Sequence, residues 1–404
     1  MIKVLQINAC DSTASTGTVM RDIQDVCLHS GLECHIAYAT TERSRHDILK
    51  GYHIGCWLDH KMHALLSRII KRQGAASTLP TLHLIRHIDK IKPDVIHLHN
   101  LHANYVNLNL LLKAIAKRDI ATVITLHDNW FFTGGCCLPE LLHCRGWEEG
   151  CRSCRHISAA CKVFEDRKKY FNAVPRLAVV GVSDWMNAEA ARSFLKGRPI
   201  ATVRNGVRTD VFRPLTPESR ALVRSSYGIK DGEYLILGPA SKWLQASNRK
   251  GLDTIVKSLK ADERLFLYGC TPRQMKAIQN EKITLIPFTP HKPVLATIYS
   301  MADLFINCTH MDTCSFINIE SQACGTPVIT FDNTGASETV DGKCGFRVAT
   351  DDYDALSREI ARVRGLAIDP ESPRQWVEDR FSMVRNYRGY VEVYESIDIM
   401  KLPR

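Results

Sequence analysis

The sequence predicts an α/β protein with two domains, each built on a parallel sheet with helices on both faces. Short apolar runs alternate with helical patterns along most of the 404 residues, a rhythm typical of strand–helix–strand units. A chain of this length, with 45% hydrophobic and 24% charged residues, is globular and long enough for about two domains. A strong turn signal at Asn205-Gly206, followed by Pro214, marks the passage between them.

Ten strands are predicted, five in each half of the chain. Those of the first half lie at 3–8, 34–39, 95–99, 123–127 and 177–183. Those of the second half lie at 234–238, 265–269, 284–288, 304–308 and 327–331. Two Rossmann-like domains result, over residues 1–200 and 201–373, and a helical pattern over 374–398 predicts that the segment 374–404 packs back on the first domain.

Ligands of open α/β sheets bind at the carboxyl ends of the strands. Two facing domains of this kind therefore predict a cleft between those ends, with the chemistry in the loops that follow the strands. Most polar clusters of this chain do fall in such loops.

Two carboxylates stand eight positions apart in the segment DTCSFINIESQACGTPVITFDNTGASETV, residues 312–340. Asp312 follows a strand, and Glu320 lies just inside the next helical pattern. Carboxylates accept paired hydrogen bonds from neighbouring hydroxyl groups, and a nucleotide sugar offers such groups on both its sugar and its ribose. The pair therefore predicts a nucleotide-sugar site.

Candidate phosphate-binding groups occur in both halves. Lys250 and Gly251 begin a helical pattern after a strand and a polar loop, where a lysine and the helix dipole neutralise a leaving diphosphate; Lys242 and Arg249 are further candidates. Gly17, in the loop after the first strand, lets the backbone approach an anion closely. The alternative for that loop is an ordinary turn capped by Ser15 or Thr16.

Histidines follow two strands of the first domain. DVIHLHNLH carries His97, His99 and His102, and TLHDNW carries His127 and Asp128. A histidine at a strand end can bind a sugar hydroxyl, and its pKa moves readily. His127 is the favoured catalytic candidate, with His99, His102 and Asp128 on the acceptor side. For each of them the alternative is an ordinary hydrogen-bonded core or loop residue.

Six of the fifteen cysteines fall within residues 136–161, a cysteine-rich insertion in the first domain. The pair Cys151 and Cys154, with Cys144 and with Cys136 or Cys137, has the ligand number of a tetrahedral structural zinc site. The alternatives are free thiols or a loop that oxidises during purification. The other cysteines are scattered, which fits a reducing cytoplasm better than a disulfide framework.

Charge is concentrated in the first half, where residues 1–200 carry a net +8 against +2 for residues 201–404. This surplus suits an anionic partner, such as a phospholipid surface. The segment HKMHALLSRIIKRQG (60–74) has an apolar stripe flanked by basic residues. The stripe is Met62, Leu65, Leu66, Ile69 and Ile70, and the basic residues are Lys61, Arg68, Lys71 and Arg72. The pattern predicts either a membrane-surface helix or one that packs on its own domain.

The expected location is cytoplasmic, with peripheral attachment to the inner face of the cytoplasmic membrane. MIKVLQINAC leads straight into a strand and has no signal-peptide pattern, and no apolar run reaches the roughly 18 residues of a membrane span. The basic residues lack interleaved aromatics or a known module, so a nucleic-acid partner is not expected.

Taken together, these segments resemble the family 4 glycosyltransferases, which have the GT-B fold. The most specific part is Thr309–Asp312, Glu320, the ACGTPVI run at 323–329 and the Gly335–Glu338 pair, which is similar to the family's S-x-x-E-x7-E motif with its tail. NGVRTDVF resembles the family's interdomain segment. TLHDNWFFTGGC and its cysteines resemble a subgroup that builds bacterial surface polysaccharides. The resemblance covers essentially the whole chain.

The resemblance implies a role for each matching residue. Glu320 would bind the ribose and Asp312 the transferred sugar, with the backbone of Thr313, Cys314 and Ser315 near the sugar and phosphates. Lys250 and Gly17 would bind the diphosphate, and His127 would lie near the sugar and acceptor. Gly269 and Phe288 occupy the positions that hold the base. Two departures stand out: Asp312 replaces the usual glutamate, and Pro239 to Ser241 follow Gly238 without the family's arginine.

The implied activity is retaining transfer of a sugar from a UDP- or GDP-sugar to a glycan or lipid-linked glycan, with no cofactor and no metal ion at the reaction centre. The two departures motivate an alternative, a GT-B scaffold that binds a glycan or nucleotide without turnover. A nucleotide-sugar epimerase on the same fold is a further alternative.

Overall fold

The computed structural model describes residues 1–11, 15–40, 51–70, 73–278 and 280–397. The chain divides into two compact units. The first comprises Met1–Asn205 together with the segment from Val384 onward, and the second comprises Gly206–Met383.

The first unit alternates strands with helices. Its elements before the crossing to the second unit are β1 (Lys3–Cys10), α1 (Ser15–His29), β2 (Glu33–Thr40), β3 (Tyr52–His53), α2 (Trp57–Ile70), α3 (Thr78–Ile91), β4 (Val95–Leu98), α4 (Leu108–Lys117), β5 (Ala121–Leu126), α5 (Ala160–Asn172), β6 (Leu177–Gly181), α6 (Asp184–Arg192) and β7 (Ile200–Thr202). Short 3-10 helices lie at Asn129–Phe132 and Pro139–Leu142. All strands pair in parallel, in the order β3-β2-β1-β4-β5-β6-β7.

The second unit repeats this plan. Its elements are α7 (Pro217–Ser226), β8 (Tyr234–Pro239), α8 (Ala240–Trp243), α9 (Arg249–Ser258), β9 (Glu263–Cys270), α10 (Pro272–Ala277), β10 (Ile283–Pro287), α11 (Lys292–Ser300), β11 (Leu304–Asn307), α12 (Phe316–Ala323), β12 (Val328–Phe331), β13 (Gly345–Val348), α13 (Tyr353–Arg364) and α14 (Glu371–Phe381). Short 3-10 helices lie at Ala246–Asn248 and Thr334–Thr339. The parallel order is β10-β9-β8-β11-β12-β13.

Burial explains why these runs form parallel sheets. Leu5, Ile96 and Ile124 of the first unit, and Ile236 and Ile306 of the second, are fully buried in the centres of their sheets. Helices cover both faces of a parallel sheet, so its central strands are apolar throughout rather than alternating. The predicted α/β class with two Rossmann-like domains is confirmed, and all ten predicted strands are present with ends within two residues of those expected.

The C-terminal helical pattern forms two helices rather than one continuous helix. After α14 the chain is extended at Ser382, which forms a parallel bridge with Val207, and α15 (Met383–Ser396) follows. The amide of Val207 donates to Phe381 O, and the amide of Met383 donates to Val207 O. These bonds replace the helical ones at that point, so the helix breaks although the sequence has no glycine or proline there.

Helix α15 contributes to the interior of the first unit. The Tyr394 hydroxyl lies 2.6 Å from His97 Nδ1, and the Thr125 hydroxyl donates to the Tyr390 hydroxyl at 3.2 Å. All fifteen cysteines are free thiols. Within the described residues, no helix has the length and apolar character needed to cross a membrane.

Candidate functional site

The turn between β11 and α12 carries the first of the two predicted carboxylates. Ser315 caps the start of α12, and the side-chain amide of Asn307 donates to Ser315 Oγ at 3.1 Å and to Asn318 Oδ1 at 2.8 Å. These residues are buried. The strand end and the helix start are thereby tied together, which holds the loop containing Asp312 in one conformation.

Asp312 is held by its backbone as well as by its carboxylate. The Thr334 hydroxyl accepts from the Asp312 amide at 3.1 Å and donates to its carbonyl at 2.9 Å. The Cys314 amide donates to Asp312 Oδ1 at 3.2 Å. Burial raises the pKa of Asp312, and the charge of Lys242 and the loop's hydrogen bonds oppose that rise. The Asp312 side chain is therefore fixed at the end of the strand.

Glu320 is half-buried on α12 and bonded to a tyrosine pair. The Tyr299 hydroxyl donates to Glu320 Oε2 at 3.2 Å, and the Tyr268 hydroxyl lies 2.8 Å from that of Tyr299. Burial raises the pKa of Glu320 to about 7, with Lys292 and the Tyr299 bond opposing the rise. Glu320 consequently changes its protonation state near neutral pH.

The tyrosine pair was not predicted from the sequence. Tyr299 lies in the last turn of α11 and is fully buried, and Tyr268 is nearly so. Both look like core aromatics in the sequence, and the one available signal is that Tyr268 directly precedes the candidate Gly269. Gly269 has φ +78°, a left-handed conformation that favours glycine. The Phe288 amide donates to Cys270 O at 3.1 Å, and the Phe288 ring is 70% exposed.

The start of α9 carries Lys250, whose side chain is exposed. Just before it, buried Asn248 donates from Nδ2 to the carbonyls of Lys242 and Cys308, both at 2.9 Å, and accepts from the Tyr353 hydroxyl at 2.9 Å. Cys308 directly follows β11. Asn248 therefore fixes the helix start to the strand end that leads to Asp312.

Two glycines of the second unit are required by close packing. A Cβ on Gly251 would lie 1.9 Å from the ring of Tyr353, so α9 approaches α13 only with glycine there. A Cβ on Gly238 would lie 2.3 Å from Trp243 Nε1, which donates to Ile306 O at 3.2 Å. In this chain a tryptophan indole packs against the strand glycine.

In the first unit, the histidines of the adjacent strands β4 and β5 form a connected chain. His99 Nδ1 lies 3.0 Å from His127 Nε2, and His99 Nε2 lies 2.9 Å from Gln6 Oε1. His97 packs against His99, with ring centroids 3.9 Å apart. Burial lowers the pKa of His127 to about 4, with Asp128 opposing, and lowers the pKa of His97 and His99 well below the usual value. These imidazoles are neutral at neutral pH.

His102 and Asp128 form a second pair in the same unit. His102 Nε2 lies 3.2 Å from Asp128 Oδ2, and the Trp130 amide donates to Asp128 Oδ1 at 2.8 Å. With Cys137 they form a group whose potential ligand atoms lie within 4.8 Å of one another, the one such group found among the described residues. The four cysteines of the predicted zinc site line one small cavity without forming such a group.

Only part of the predicted glycine loop of the first domain belongs to the described residues. Gly17 is buried in α1, which begins at Ser15, and residues 12–14 lie outside the described part of the chain. Thr16 Oγ1 lies 3.4 Å from Asn8 Nδ2 and 3.6 Å from Cys10 Sγ. The helix start is therefore linked to the end of β1.

Two family models match the chain, one in each unit. A model described as glycosyltransferase family 4 matches residues 31–211, and one described as glycosyl transferases group 1 matches residues 241–364. Together they cover the histidine strands and the carboxylate segment.

Curated relatives match parts of the chain. A GDP-mannose-dependent alpha-(1-6)-phosphatidylinositol monomannoside mannosyltransferase of Mycolicibacterium smegmatis is 28% identical over 228 residues, 50% of this chain and 58% of the relative. The capsular polysaccharide biosynthesis glycosyltransferase CapM of Staphylococcus aureus is 33% identical over 100 residues, 24% of each chain. The chain thus spans about half the length, or less, of these curated relatives.

Solved structures match almost the whole chain. A sucrose-phosphate synthase from Thermosynechococcus elongatus superposes with a TM-score of 0.69 at 16% identity, covering 99% of this chain and 100% of that one. HepE from Anabaena, solved in complex with UDP-glucose, superposes with a TM-score of 0.64 at 13% identity, covering 98% and 100%. These likenesses show the GT-B fold. The two family models show that the chain belongs to the family 4 glycosyltransferases.

Proposed function

We propose that this protein is a retaining glycosyltransferase that moves a sugar from a nucleoside diphosphate to a glycan or lipid-linked glycan in the synthesis of a bacterial surface polysaccharide. The proposal rests on one observation, which is that hydrogen bonds hold the polar candidate residues of the second unit in place. Glu320 is bonded to Tyr299 on one side of the α12 turn, Asp312 is fixed on the other, and Asn248 ties the Lys250 helix start to the same strand end.

Each group of the second unit then has a chemical task. Ionised Glu320 accepts hydrogen bonds from the two ribose hydroxyls, and Asp312 accepts from the transferred sugar. The backbone of Thr313, Cys314 and Ser315 lies along the sugar and phosphates. Lys250 and the dipole of its helix stabilise the leaving diphosphate. The base stacks on exposed Phe288, beside the bend at Gly269.

Retention follows from attack on the same face that the diphosphate leaves. The bond between the sugar's anomeric carbon and the phosphate oxygen breaks, the acceptor oxygen bonds to that carbon, and the leaving phosphate takes the acceptor's proton. No protein base is needed, which agrees with a neutral His127 that supplies a hydrogen bond rather than a charge. His102 and Asp128 serve on the acceptor side, and His99, whose two ring nitrogens bond to His127 and Gln6, positions His127. Gly17 serves the diphosphate, and no metal ion acts at the reaction centre.

The donor is a UDP- or GDP-sugar. Two similar proteins support this choice, since one uses GDP-mannose by name and another was solved with UDP-glucose. Asp312 has one methylene less than the family's glutamate, so the identity of the sugar depends on the space beside it.

An acceptor on a lipid requires contact with a membrane, and α2 offers a surface for it. Six large apolar side chains of this helix are exposed: Trp57, Leu58, Met62, Leu65, Leu66 and Ile69. Lys61 lies on the same face, 5.5 Å from the ring of Trp57, while His63 is buried. Such a face suits the headgroup region of an anionic bilayer. Lys71, Arg72 and the side chains of Arg68 and Ile70 lie outside the described part of the protein.

Vesicle binding tests this contact. The full chain should sediment with vesicles containing phosphatidylglycerol and bind phosphatidylcholine vesicles at least about tenfold more weakly. Leu65→Asp should abolish binding, whereas Leu222→Asp, at a leucine of α7 that is 73% exposed, should not. Equal binding by the two variants would remove α2 from the proposal.

Donor screening tests the activity itself. Thermal shifts against UDP-, GDP-, ADP- and dTDP-sugars should single out one base, since a ligand at about 100 times its Kd adds roughly 2.7 kcal/mol of stability. Turnover of that donor with lipid-linked acceptors should give a product with the donor's anomeric configuration by NMR, with or without EDTA. Binding without turnover would favour the inactive scaffold, and isomerisation of donor alone would indicate an epimerase. An inverted product would contradict retention.

A further inference from the structure

We propose that Cys136, Cys144, Cys151 and Cys154 bind one Zn²⁺ ion that stabilises the segment between β5 and α5. This role is independent of the transfer chemistry. All four cysteines line one cavity of about 70 Å³ in the first unit. Four thiolates around one small space match the coordination of a structural zinc ion, which takes four sulfur ligands in a tetrahedron.

Backbone amides already point at two of the four sulfurs. The Gly134 amide donates to Cys151 Sγ at 3.2 Å, and the Ile157 amide donates to Cys154 Sγ at 3.4 Å. Amide donors stabilise negative charge on sulfur, and such outer hydrogen bonds hold ligands in place around a metal ion. The two sulfurs of the CxxC pair therefore already have amide donors of the kind that surround metal-bound sulfur.

Buried donors without partners lie around the same segment. Trp147 lines the cavity and is 1% exposed, and its Nε1 has no hydrogen-bond partner among the described residues. Arg167 is equally buried, and its Nη1 donates to the carbonyls of Trp130 and Thr133. The Nε and Nη2 groups of Arg167 lack a hydrogen-bond partner in the described part of the chain. The guanidinium lies 3.7 Å from the centroid of the Trp130 ring and interacts electrostatically with Cys137, Asp128 and Cys151.

Unpaired buried donors are costly, and a buried guanidinium needs negative charge nearby. The Asp128 carboxylate supplies part of that charge, because it interacts electrostatically with Arg167. Four thiolates on one Zn²⁺ would add a net negative cluster and acceptor sulfurs for the Trp147 indole. The ion would therefore give the unpaired Trp147 donor a partner.

Binding must draw the sulfurs inward. Zn–S bonds of about 2.3 Å place the sulfurs of a filled site about 3.8 Å apart, whereas no three of these four sulfurs lie within 4.8 Å of one another. The cavity between them provides the room for that movement. Cys137, next to Cys136, belongs instead to the group with His102 and Asp128.

Metal analysis of the full chain tests the site. Protein purified under reducing conditions from zinc-supplemented cells should contain about one zinc ion per chain. Cys151→Ser and Cys154→Ser should each lower the zinc content at least several-fold. Cys161→Ser is the matched control, because this cysteine lies in the same region outside the cavity lining, and it should retain zinc.

Cobalt replacement keeps the proposal testable if the serine variants do not fold. Wild-type protein exchanged into Co²⁺ should show thiolate-to-cobalt charge transfer and the intense d–d absorption of a tetrahedral thiolate site. Folded, reduced wild-type protein that takes up neither ion, with every thiol open to titration, would overturn the proposal. So would zinc that is lost in Cys137→Ser and kept in Cys151→Ser, because that result places the ion on the His102 and Asp128 group.

Discussion

Burial acts in opposite directions on the two polar clusters of this protein. In the second unit it raises the pKa of Asp312 and brings that of Glu320 to about 7, so acids become neutral more readily. In the first unit it lowers the pKa of His127 to about 4 and keeps His99 neutral, so bases stay uncharged. Both pKa shifts follow from the free-energy cost of placing a charge where water solvates it poorly.

The two clusters are therefore suited to different work. The second unit has Glu320, which gains or loses charge near neutral pH, and exposed Lys250, and these suit a hydroxyl-bearing ribose and a charged diphosphate. The first unit offers the neutral imidazole of His127, which suits an uncharged acceptor hydroxyl. The charge stabilisation of the proposed reaction is expected from the second unit.

Removing the exposed cation should have the largest effect. Lys250→Ala should lower kcat/KM by about 100- to 1000-fold, because the leaving diphosphate loses its main positive partner. Steady-state kinetics with the donor found by screening measures this. Lys257→Ala, an exposed lysine in the last turn of the same helix, should leave kcat/KM within about twofold. Equal losses in the two variants would mean that Lys250 acts only through the general field of the surface.

Replacing Asp312 by the longer glutamate should alter the enzyme's choice of donor sugar. Asp312→Glu should change the ratio of kcat/KM between two sugars on the same nucleotide by about tenfold, since one methylene is worth about 1–3 kcal/mol in a fitted site. The affinity for the nucleoside diphosphate alone should stay unchanged. A changed diphosphate affinity with an unchanged sugar ratio would place Asp312 on the phosphates rather than on the sugar.

Sequence reasoning predicted most of the fold because the central strands are long apolar runs. It missed β3, β7 and β13, which are only two to four residues long and lie at or near sheet edges. A run such as Tyr52-His53 is too short to carry a period. The helix break at Ser382 was not predicted for another reason. It depends on a bridge to Val207, which is far away in the sequence.

A motif in the sequence points to Asp312, Glu320 and Lys250, and their roles in the site stay predictions. Tyr299 and Asn248 were not predicted, although they hold Glu320 and the Lys250 helix in place. A buried polar side chain acts through its partner in space, and nothing in its own sequence neighbourhood distinguishes it from a core residue.

Lowering the pH should change the folding stability of the two units in opposite directions. This effect should be smaller than those of the two substitutions above. As pH falls from 7.5 to 5.5, the unfolded first unit takes up protons on histidines that stay neutral when folded, costing about 1 kcal/mol for each buried histidine. Glu320 has a raised pKa, so the folded second unit takes up its proton first and gains stability over the same range. Urea-dependent hydrogen exchange, corrected for intrinsic rates, should show the first unit weakening relative to the second.

Glu320→Gln is the control for that experiment, because it should remove the second unit's gain without changing the first unit's loss. An equal loss of stability in both units of the wild-type protein would contradict the opposite pKa shifts assigned to Glu320 and to the buried histidines.

The most direct test is the pH dependence of donor binding. Calorimetric titration of the cognate nucleotide sugar, whose pyrophosphate keeps its charge across this range, should give an affinity about tenfold higher at pH 8 than at pH 6, because only ionised Glu320 accepts from both ribose hydroxyls. Glu320→Gln should bind more weakly at pH 8 and show a flat profile. A variant that kept the full wild-type slope, or a wild-type affinity independent of pH, would contradict Glu320 as the ribose ligand.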